Sequence, residues 1–239
     1  GLRRSPVPRL SIIGHAETDL ALDPPAVADV HQAEQALRRR AEGHPVLLML
    51  LEHASAEVFD YLATATETAL RWLGQAARQR PHWFFILKDR EGQDGSAVPG
   101  SGHIAGLDNV AISARVDYRA FLQWDNLVAV AALASTGLMA AAGTGRTAVR
   151  LVAPPTDRPV REIDAITTPV ASLEELLALL DRLEEEPPPS RDQTWLERHF
   201  PYRGRTLDRM EALARQRLEA HPAGRGGSAQ AGEEGVTRQ

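Results

Sequence analysis

Two apolar runs decide the fold, Val46-Leu47-Leu48-Met49-Leu50-Leu51 and His82-Trp83-Phe84-Phe85-Ile86-Leu87. A continuous apolar run of this length is typical of a strand that is buried on both faces, as in a parallel sheet covered by helices. Between the two runs, apolar residues recur at helical spacing over 55–80, with Ser55 as the predicted N-cap. The sequence therefore predicts a strand–helix–strand unit over 46–87, with parallel strands and a right-handed crossover.

Further strands and helices are predicted on both sides of this unit. The strands lie over 10–14, 109–113, 147–153 and 162–167, and the helices over 24–40, 117–142 and 172–186. The helix over 117–142 carries small residues on nearly every face, so we expect it to lie in the centre of the molecule. Ser172 and Glu175 form a capping box before the last of these helices. Together these elements predict an α/β fold over 10–186, with three layers and a mostly parallel sheet flanked by helices.

The composition changes after the triple proline at 187–189. Ser190 and Gln193 form a second capping box, and Thr206 is the predicted cap of a final helix. These helices make up a helical C-terminal appendage over 190–221, which is too small to fold alone and is expected to pack on the domain or on a partner. Two segments without a predicted fold frame the chain. They are a flexible arm over 1–9 and a disordered tail over 222–239.

Composition and charge exclude several classes of function. The 239 residues include no cysteine, which excludes disulfides, thiolate nucleophiles and Cys-type zinc sites. The net charge of −5 argues against nucleic acid as a partner. The longest uncharged run, 127–142, is shorter than the roughly 20 residues that cross a bilayer. We therefore expect a soluble protein with no membrane partner, and the cytoplasm is the default compartment.

Two motif-like strings do not predict a site. Gly143-Thr144-Gly145-Arg146-Thr147-Ala148 has the letters of a dinucleotide fingerprint, but a predicted helix precedes it and a predicted strand follows, the reverse of what phosphate binding requires. His15, Glu17 and Asp19 alternate along the chain, but no second cluster supports them as metal ligands. We predict no metal site, and the sequence leaves the cofactor open.

The position of polar residues on the predicted sheet indicates a site more directly. In open α/β sheets, ligands bind outside the carboxyl ends of the strands. Glu52 and His53 follow the first core strand, Lys88 and Asp89 follow the second, and Arg158 follows the strand over 147–153. We predict the first four as catalytic residues and Arg158 as a ligand-binding residue. A histidine such as His53 can act as a base near neutral pH, and Lys88 suits an anionic group.

A glycine-rich segment over 91–106 follows the second core strand. A connection of this length inside a compact domain is usually functional or disordered. Because it starts at the same edge as Lys88, it is a candidate lid. Ser101 and His103 are its predicted ligand-binding residues.

Two functions are consistent with this sequence. The first is a domain that binds a small anionic ligand at the carboxyl ends of the central strands, with chemical transformation of that ligand left open. The alternative is a non-enzymatic subunit or adaptor that docks a protein partner through the C-terminal helices. Trp195, Phe200 and Met210 would anchor that partner, because aromatic residues are enriched at interface centres.

Overall fold

The computed structural model describes residues 16–22, 31–51, 60–89, 98–155, 161–186 and 193–220. Within them, the strands are β1 (Val46–Leu50), β2 (Phe84–Lys88), β3 (Val110–Ser113), β4 (Leu127–Ala132), β5 (Thr147–Leu151) and β6 (Thr168–Val170). These six strands form one sheet in the order β3-β2-β1-β4-β5-β6, and every neighbouring pair is parallel. This is the strand order of a doubly wound, Rossmann-like sheet.

Helices cover both faces of the sheet. They are α1 (Ala16–Leu22), α2 (His31–Arg40), α3 (Asp60–Gln79), α4 (Tyr118–Phe121), α5 (Gly137–Gly143), α6 (Arg161–Asp164), α7 (Leu173–Glu185), α8 (Gln193–His199) and α9 (Thr206–Ala220). One core contains apolar residues of α3 and α7, and the other contains residues of α1, α2, α4, α5, α6 and α8. The predicted three-layer α/β fold is confirmed. None of the helices in the described ranges is long and apolar enough to cross a membrane.

Strand β1 lies in the middle of the sheet, with β2 on one side and β4 on the other. All five of its residues are buried. Leu47 and Met49 belong to the core under α3, while Leu48 and Leu50 belong to the core under α5. Because both faces are covered, the run is apolar at every position rather than at alternate ones. The predicted parallel pairing of the two core strands is confirmed.

The predicted helix over 117–142 is wrong. The segment forms the one-turn helix α4, strand β4 and the short helix α5. Its many alanines favour a helix as an isolated sequence, but β4 lies between β1 and β5 and is buried on both faces. Small residues are needed there because helices pack closely on both sides, and helical propensity does not decide the outcome.

Of two further predicted strands, one is wrong and the other lies outside the described residues. The predicted strand over 162–167 is wrong, because the chain forms helix α6 there and pairs with β5 only from Thr168 onward. The predicted strand over 10–14 lies outside the described residues. The capping box of α7 is confirmed. Ser172 Oγ accepts a hydrogen bond from the Glu175 amide at 3.2 Å, and Glu175 Oε2 accepts one from the Ala171 amide at 2.7 Å.

The C-terminal helices pack on the domain through α1 and α5. Phe200 is only 3% exposed, and a Cβ atom at Gly143 of α5 would lie 3.3 Å from its ring. The carboxylate of Asp19 in α1 accepts hydrogen bonds from the amides of Gly204 at 2.7 Å and Thr206 at 2.5 Å. Asp19 therefore caps α9 from a distant part of the sequence, a role that the sequence had suggested for Thr206.

Candidate functional site

The site is best sought between β1 and β4, where the order of the strands in the sheet reverses. We call this place the reversal point. The connection after β1 leads to α3 on one face, whereas the connection after β4 leads to α5 on the other. Loops that leave neighbouring strands toward opposite faces open a crevice at the carboxyl edge, and this is where doubly wound folds bind ligands. We call the carboxyl ends of the strands, with the loops that follow them, the carboxyl edge.

Lys88 is the last residue of β2 and lies at the carboxyl edge. It is paired with Leu50 of β1 on one side and Ser113 of β3 on the other. Its Nζ donates hydrogen bonds to the carbonyl oxygens of Asp89 and Ala114, the latter at 3.5 Å. The residue is half-buried, and these two hydrogen bonds hold its ammonium group in place. Lys88 is also the only lysine in the sequence.

Asp117 and Arg119 form an ion pair next to Lys88. The Asp117 carboxylate caps α4 by accepting a hydrogen bond from the Arg119 amide at 2.9 Å, and it also accepts bonds from the Arg119 guanidinium, one of them at 3.0 Å. Burial alone would raise the pKa of the Asp117 carboxyl, but the hydrogen bonds and charge of Arg119, together with the charge of Lys88, lower it below its usual value. Asp117 is therefore a carboxylate at neutral pH, and it lies close enough to attract Lys88.

The loop after β4 brings hydroxyl groups to the same edge. Ser135 is half-buried and Thr136 is exposed, and Ser135 Oγ accepts a hydrogen bond from the Gly137 amide at 3.1 Å. A Cβ atom at Gly137 would lie 2.4 Å from Leu50 Cδ1 and 3.5 Å from Tyr118 Cε2. A side chain there would require the end of the Leu50 side chain to move, so glycine lets α5 begin close to the end of β1 and to α4. The two hydroxyls are thereby placed at the reversal point, near the segment that carries Asp117 and Arg119.

The structure brings some predicted site residues together and leaves others undescribed. Lys88 and Asp89 lie at the carboxyl edge, as predicted, although Asp89 is 1% exposed and its amide donates a hydrogen bond to the Ser113 carbonyl at 2.9 Å. Glu52, His53 and Arg158 lie outside the described residues. Their predicted roles stay predictions.

Ser101 and His103 lie against helix α3 rather than beside Lys88. They form a short 3₁₀ turn, and the His103 carbonyl accepts a hydrogen bond from Arg78 in the last turn of α3 at 3.0 Å. A Cβ atom at Gly74 would lie 2.3 Å from that same carbonyl oxygen. Since α3 runs from the carboxyl end of β1 to the amino end of β2, this contact holds the turn toward the opposite edge. Nothing in these contacts supports a lid over Lys88.

The three predicted partner anchors differ in exposure. Phe200 is buried, so its ring is a core side chain and not an available anchor. Trp195 is half-buried and stacks on His199, with 4.2 Å between the ring centroids. Met210 is 41% exposed, and the neighbouring Leu207 is 46% exposed. Of the described C-terminal helices, α9 thus offers exposed large apolar side chains for a protein partner.

Sequence reasoning missed Tyr118, Arg119, Ser135 and Thr136. Each of them lies in the segment that was predicted as one long helix, so the ends of β4 and the loop behind it were not recognised. A usable signal is present in Ser135-Thr136-Gly137, because these residue types commonly start helices and interrupt the alanine-rich run. Over the described ranges, His, Asp and Glu side chains form no group of three or more that could hold a metal ion.

A concavity lies at the opposite edge of the sheet, among the described residues. It measures about 550 Å³ and is formed by the end of α2 and the residues just before β4. Arg38, Arg39 and Glu42 line it on one side, and Asp125 and Asn126 on the other. We call it the amino-edge groove. Its arginines and carboxylates are mixed, and this gives it no preference for an anionic ligand.

Comparison with known proteins identifies related folds but no family. No family model matches the sequence. No curated protein is similar to it at a significant level.

Several solved structures share the fold. UDP-GlcNAc 2-epimerase from Neisseria meningitidis, solved with UDP-GlcNAc, superposes with a TM-score of 0.55 at 13% identity, covering 85% of this chain and 54% of that one. The corresponding enzyme from Methanocaldococcus jannaschii, in complex with UDP-GlcNAc and UDP, gives 0.56 at 13% identity over 86% and 54%. The structure of S. aureus MnaA with UDP gives 0.57 at 9% identity over 87% and 54%. At these identities the likeness establishes the fold. The chain spans about half the length of these structures.

Proposed function

We propose that this domain binds a nucleoside diphosphate sugar, of the UDP type, at the carboxyl edge. The observation that carries the proposal is that Lys88, the Asp117–Arg119 pair and the loop of Ser135 and Thr136 all adjoin the end of β1 or its neighbouring strand at the carboxyl edge. Three solved structures with this fold contain UDP or UDP-GlcNAc, which supports the same class of ligand here.

The proposed division of roles follows from the chemistry of each side chain. A diphosphate carries negative charge at neutral pH, and Lys88 supplies a fixed positive charge at the end of a central strand. Arg119 supplies a second positive charge, which its ion pair with Asp117 partly neutralises. Hydroxyl groups such as those of Ser135 and Thr136 accept and donate hydrogen bonds to phosphate or sugar oxygens.

Any chemical step is assigned to residues that follow β1. Glu52 and His53 come shortly after this strand in the sequence. His53 as a base is the proposed catalytic role, because an unperturbed histidine changes its protonation near neutral pH. Binding and catalysis are therefore separable in this proposal. Binding depends on Lys88 and the loop after β4, whereas any turnover depends on residues after β1.

The test is the affinity for UDP of the variants Lys88→Ala and Lys88→Arg. A hydrogen bond to a charged group contributes roughly 1.5–3 kcal/mol, so Lys88→Ala is expected to weaken UDP binding at least about tenfold by isothermal titration calorimetry. Lys88→Arg keeps the charge and is expected to retain most of the affinity. Arg39→Ala, in the amino-edge groove, is the matched control for general loss of positive charge.

Thermal unfolding of the same variants separates binding from folding. Lys88 lies at the carboxyl edge and is half-buried, so Lys88→Ala should change the melting temperature little. The proposal fails if Lys88→Ala binds UDP as the wild type does, or if Arg39→Ala weakens binding to the same extent. It also fails if the wild-type protein does not bind UDP or UDP-GlcNAc.

A further inference from the structure

Arg150 is a buried cation that the proposed binding site does not itself use. It lies near the end of β5, where it pairs with Ala132 of β4, and only 3% of the residue is exposed. A charged side chain this deeply buried is costly unless it is paired and hydrogen-bonded. Its partners therefore indicate what the charge is there to hold.

The partners of Arg150 belong to two different elements. Its guanidinium forms an ion pair with Asp164 at the end of α6. Its Nε donates a hydrogen bond to the carbonyl oxygen of Leu133 at 3.4 Å. Leu133 is the first residue after β4, two residues before Ser135. The side chain thus connects β5, α6 and the start of the loop that carries the proposed ligand-binding hydroxyls.

We propose that Arg150 is a positioning residue for the carboxyl edge, which fixes the backbone of 133–136 so that the Ser135 and Thr136 hydroxyls face the ligand. This inference rests on the proposed function. The planar guanidinium suits the task, because it reaches a carbonyl and a carboxylate at the same time in a fixed geometry. A lysine ammonium keeps the charge but does not reproduce that fork.

A purely structural role predicts a different pattern of effects. If Arg150 only neutralises Asp164 inside the core, its replacement loosens the sheet as a whole. If Arg150 positions the loop, the first change is local, at the amides whose hydrogen bonds depend on the loop. These are the amides of Gly137, Leu138 and Met139, which donate to Ser135 Oγ at 3.1 Å and to the carbonyls of Ser135 at 3.1 Å and Thr136 at 2.9 Å.

The experiment compares Arg150→Lys with the control Arg80→Lys. Arg80 forms a two-pronged ion pair with Asp181, at 2.6 and 2.7 Å, at the opposite end of the sheet. Amide hydrogen exchange is measured by NMR in the protein without ligand, and the affinity for UDP is measured by calorimetry. Asp164→Asn is the second variant, because Asp164 is one-third exposed and its replacement by an isosteric amide allows folding.

The expected result for Arg150→Lys has two parts. Exchange becomes faster at Gly137, Leu138 and Met139 but not at Ala129–Ala131 in the middle of β4. UDP binding weakens by roughly tenfold, because a small displacement of positioned groups has large effects on binding. Arg80→Lys changes neither quantity, and Asp164→Asn shows the same local pattern as Arg150→Lys in weaker form.

Two results would overturn the inference. One is unchanged exchange at these three amides in Arg150→Lys, and the other is faster exchange throughout the sheet. Failure of the wild-type protein to bind UDP would instead refute the proposed function. The exchange data, obtained without ligand, would still decide whether Arg150 holds the loop.

Discussion

Gly74, in the middle of α3, gives a prediction in which two physical effects have opposite signs. Alanine is normally more stable than glycine in a helix interior by roughly 0.5–1 kcal/mol. By propensity alone, Gly74→Ala should therefore stabilise the protein. The structure predicts the opposite, because a Cβ atom at Gly74 would lie 2.3 Å from the backbone oxygen of His103 and 3.0 Å from its carbon.

The cost follows from the distance that the neighbouring backbone must move. Ordinary contact begins at 3.4 Å, so the turn at Ser101–His103 must retreat by about 1 Å from 2.3 Å. Overpacking of this kind costs typically about 1–3 kcal/mol, and the movement also weakens the hydrogen bond from Arg78 to the His103 carbonyl. After subtracting the gain in helix propensity, we expect a net destabilisation of about 1–2 kcal/mol.

The assay is urea unfolding of Gly74→Ala beside the control Gln75→Ala. Gln75 is the next residue of α3 and is exposed, so the control gains helix propensity without a clash. We expect a lower unfolding midpoint for Gly74→Ala and an equal or higher one for Gln75→Ala. If Gly74→Ala is as stable as the wild type, the described packing of Ser101–His103 on α3 is incorrect. UDP affinity is expected to be unchanged in folded Gly74→Ala, and a large loss would place Ser101 or His103 in the ligand site after all.

Three further predictions concern the capping contact, the acidic residue at the carboxyl edge and the C-terminal helices. Asp19→Ala removes the acceptor for the Gly204 and Thr206 amides, so it should lower the free energy of unfolding by about 1 kcal/mol and speed hydrogen exchange in the first turn of α9. Asp117→Asn removes a negative charge near Lys88, so UDP should bind a few-fold more tightly. The pKa of Asp117 is lower in the folded protein than in the unfolded chain, so its charge stabilises the fold above about pH 4. The wild type should therefore be more stable than Asp117→Asn at neutral pH. This difference in stability should disappear as the pH falls through the folded-state pKa of Asp117. A chain truncated at 187 should aggregate, because removal of Phe200 uncovers the core beside α5; a soluble, monodisperse product would instead favour a separate docking module.

The central part of the fold could be predicted from the sequence because burial on both faces leaves a simple pattern. In β1 and β2, each position faces one of two helix layers, so the runs are apolar throughout. Lys88 and Asp89 followed from this pattern, since a polar residue directly after a buried strand lies at the sheet edge. These predictions depended on local sequence alone.

The other half of the candidate site could not be predicted in the same way. Strand β4 is built from alanine, valine and leucine, and its alanines have a helical preference that only the neighbouring strands override. The sequence therefore does not show where β4 ends, and it does not identify Ser135 and Thr136 as residues of the carboxyl edge. Arg119 and Arg150 were missed for a related reason, because their roles depend on contacts with Asp117, Leu133 and Asp164 that form only in the folded chain.

The position of bound UDP is the most direct test of the central claim, and the single lysine makes it measurable. Reductive methylation with ¹³C-formaldehyde labels the Lys88 amine, which keeps its charge, and the terminal amine, so two signals are expected. The signal that is missing in Lys88→Arg belongs to Lys88. During a titration with UDP, followed also by amide shifts, we predict saturable shifts of the Lys88 signal and of the amides over 117–119 and 135–137. The amides of Gly43 and Asn126 in the amino-edge groove should stay unchanged. Shifts confined to that groove, or an unchanged Lys88 signal at saturating UDP, would contradict the account.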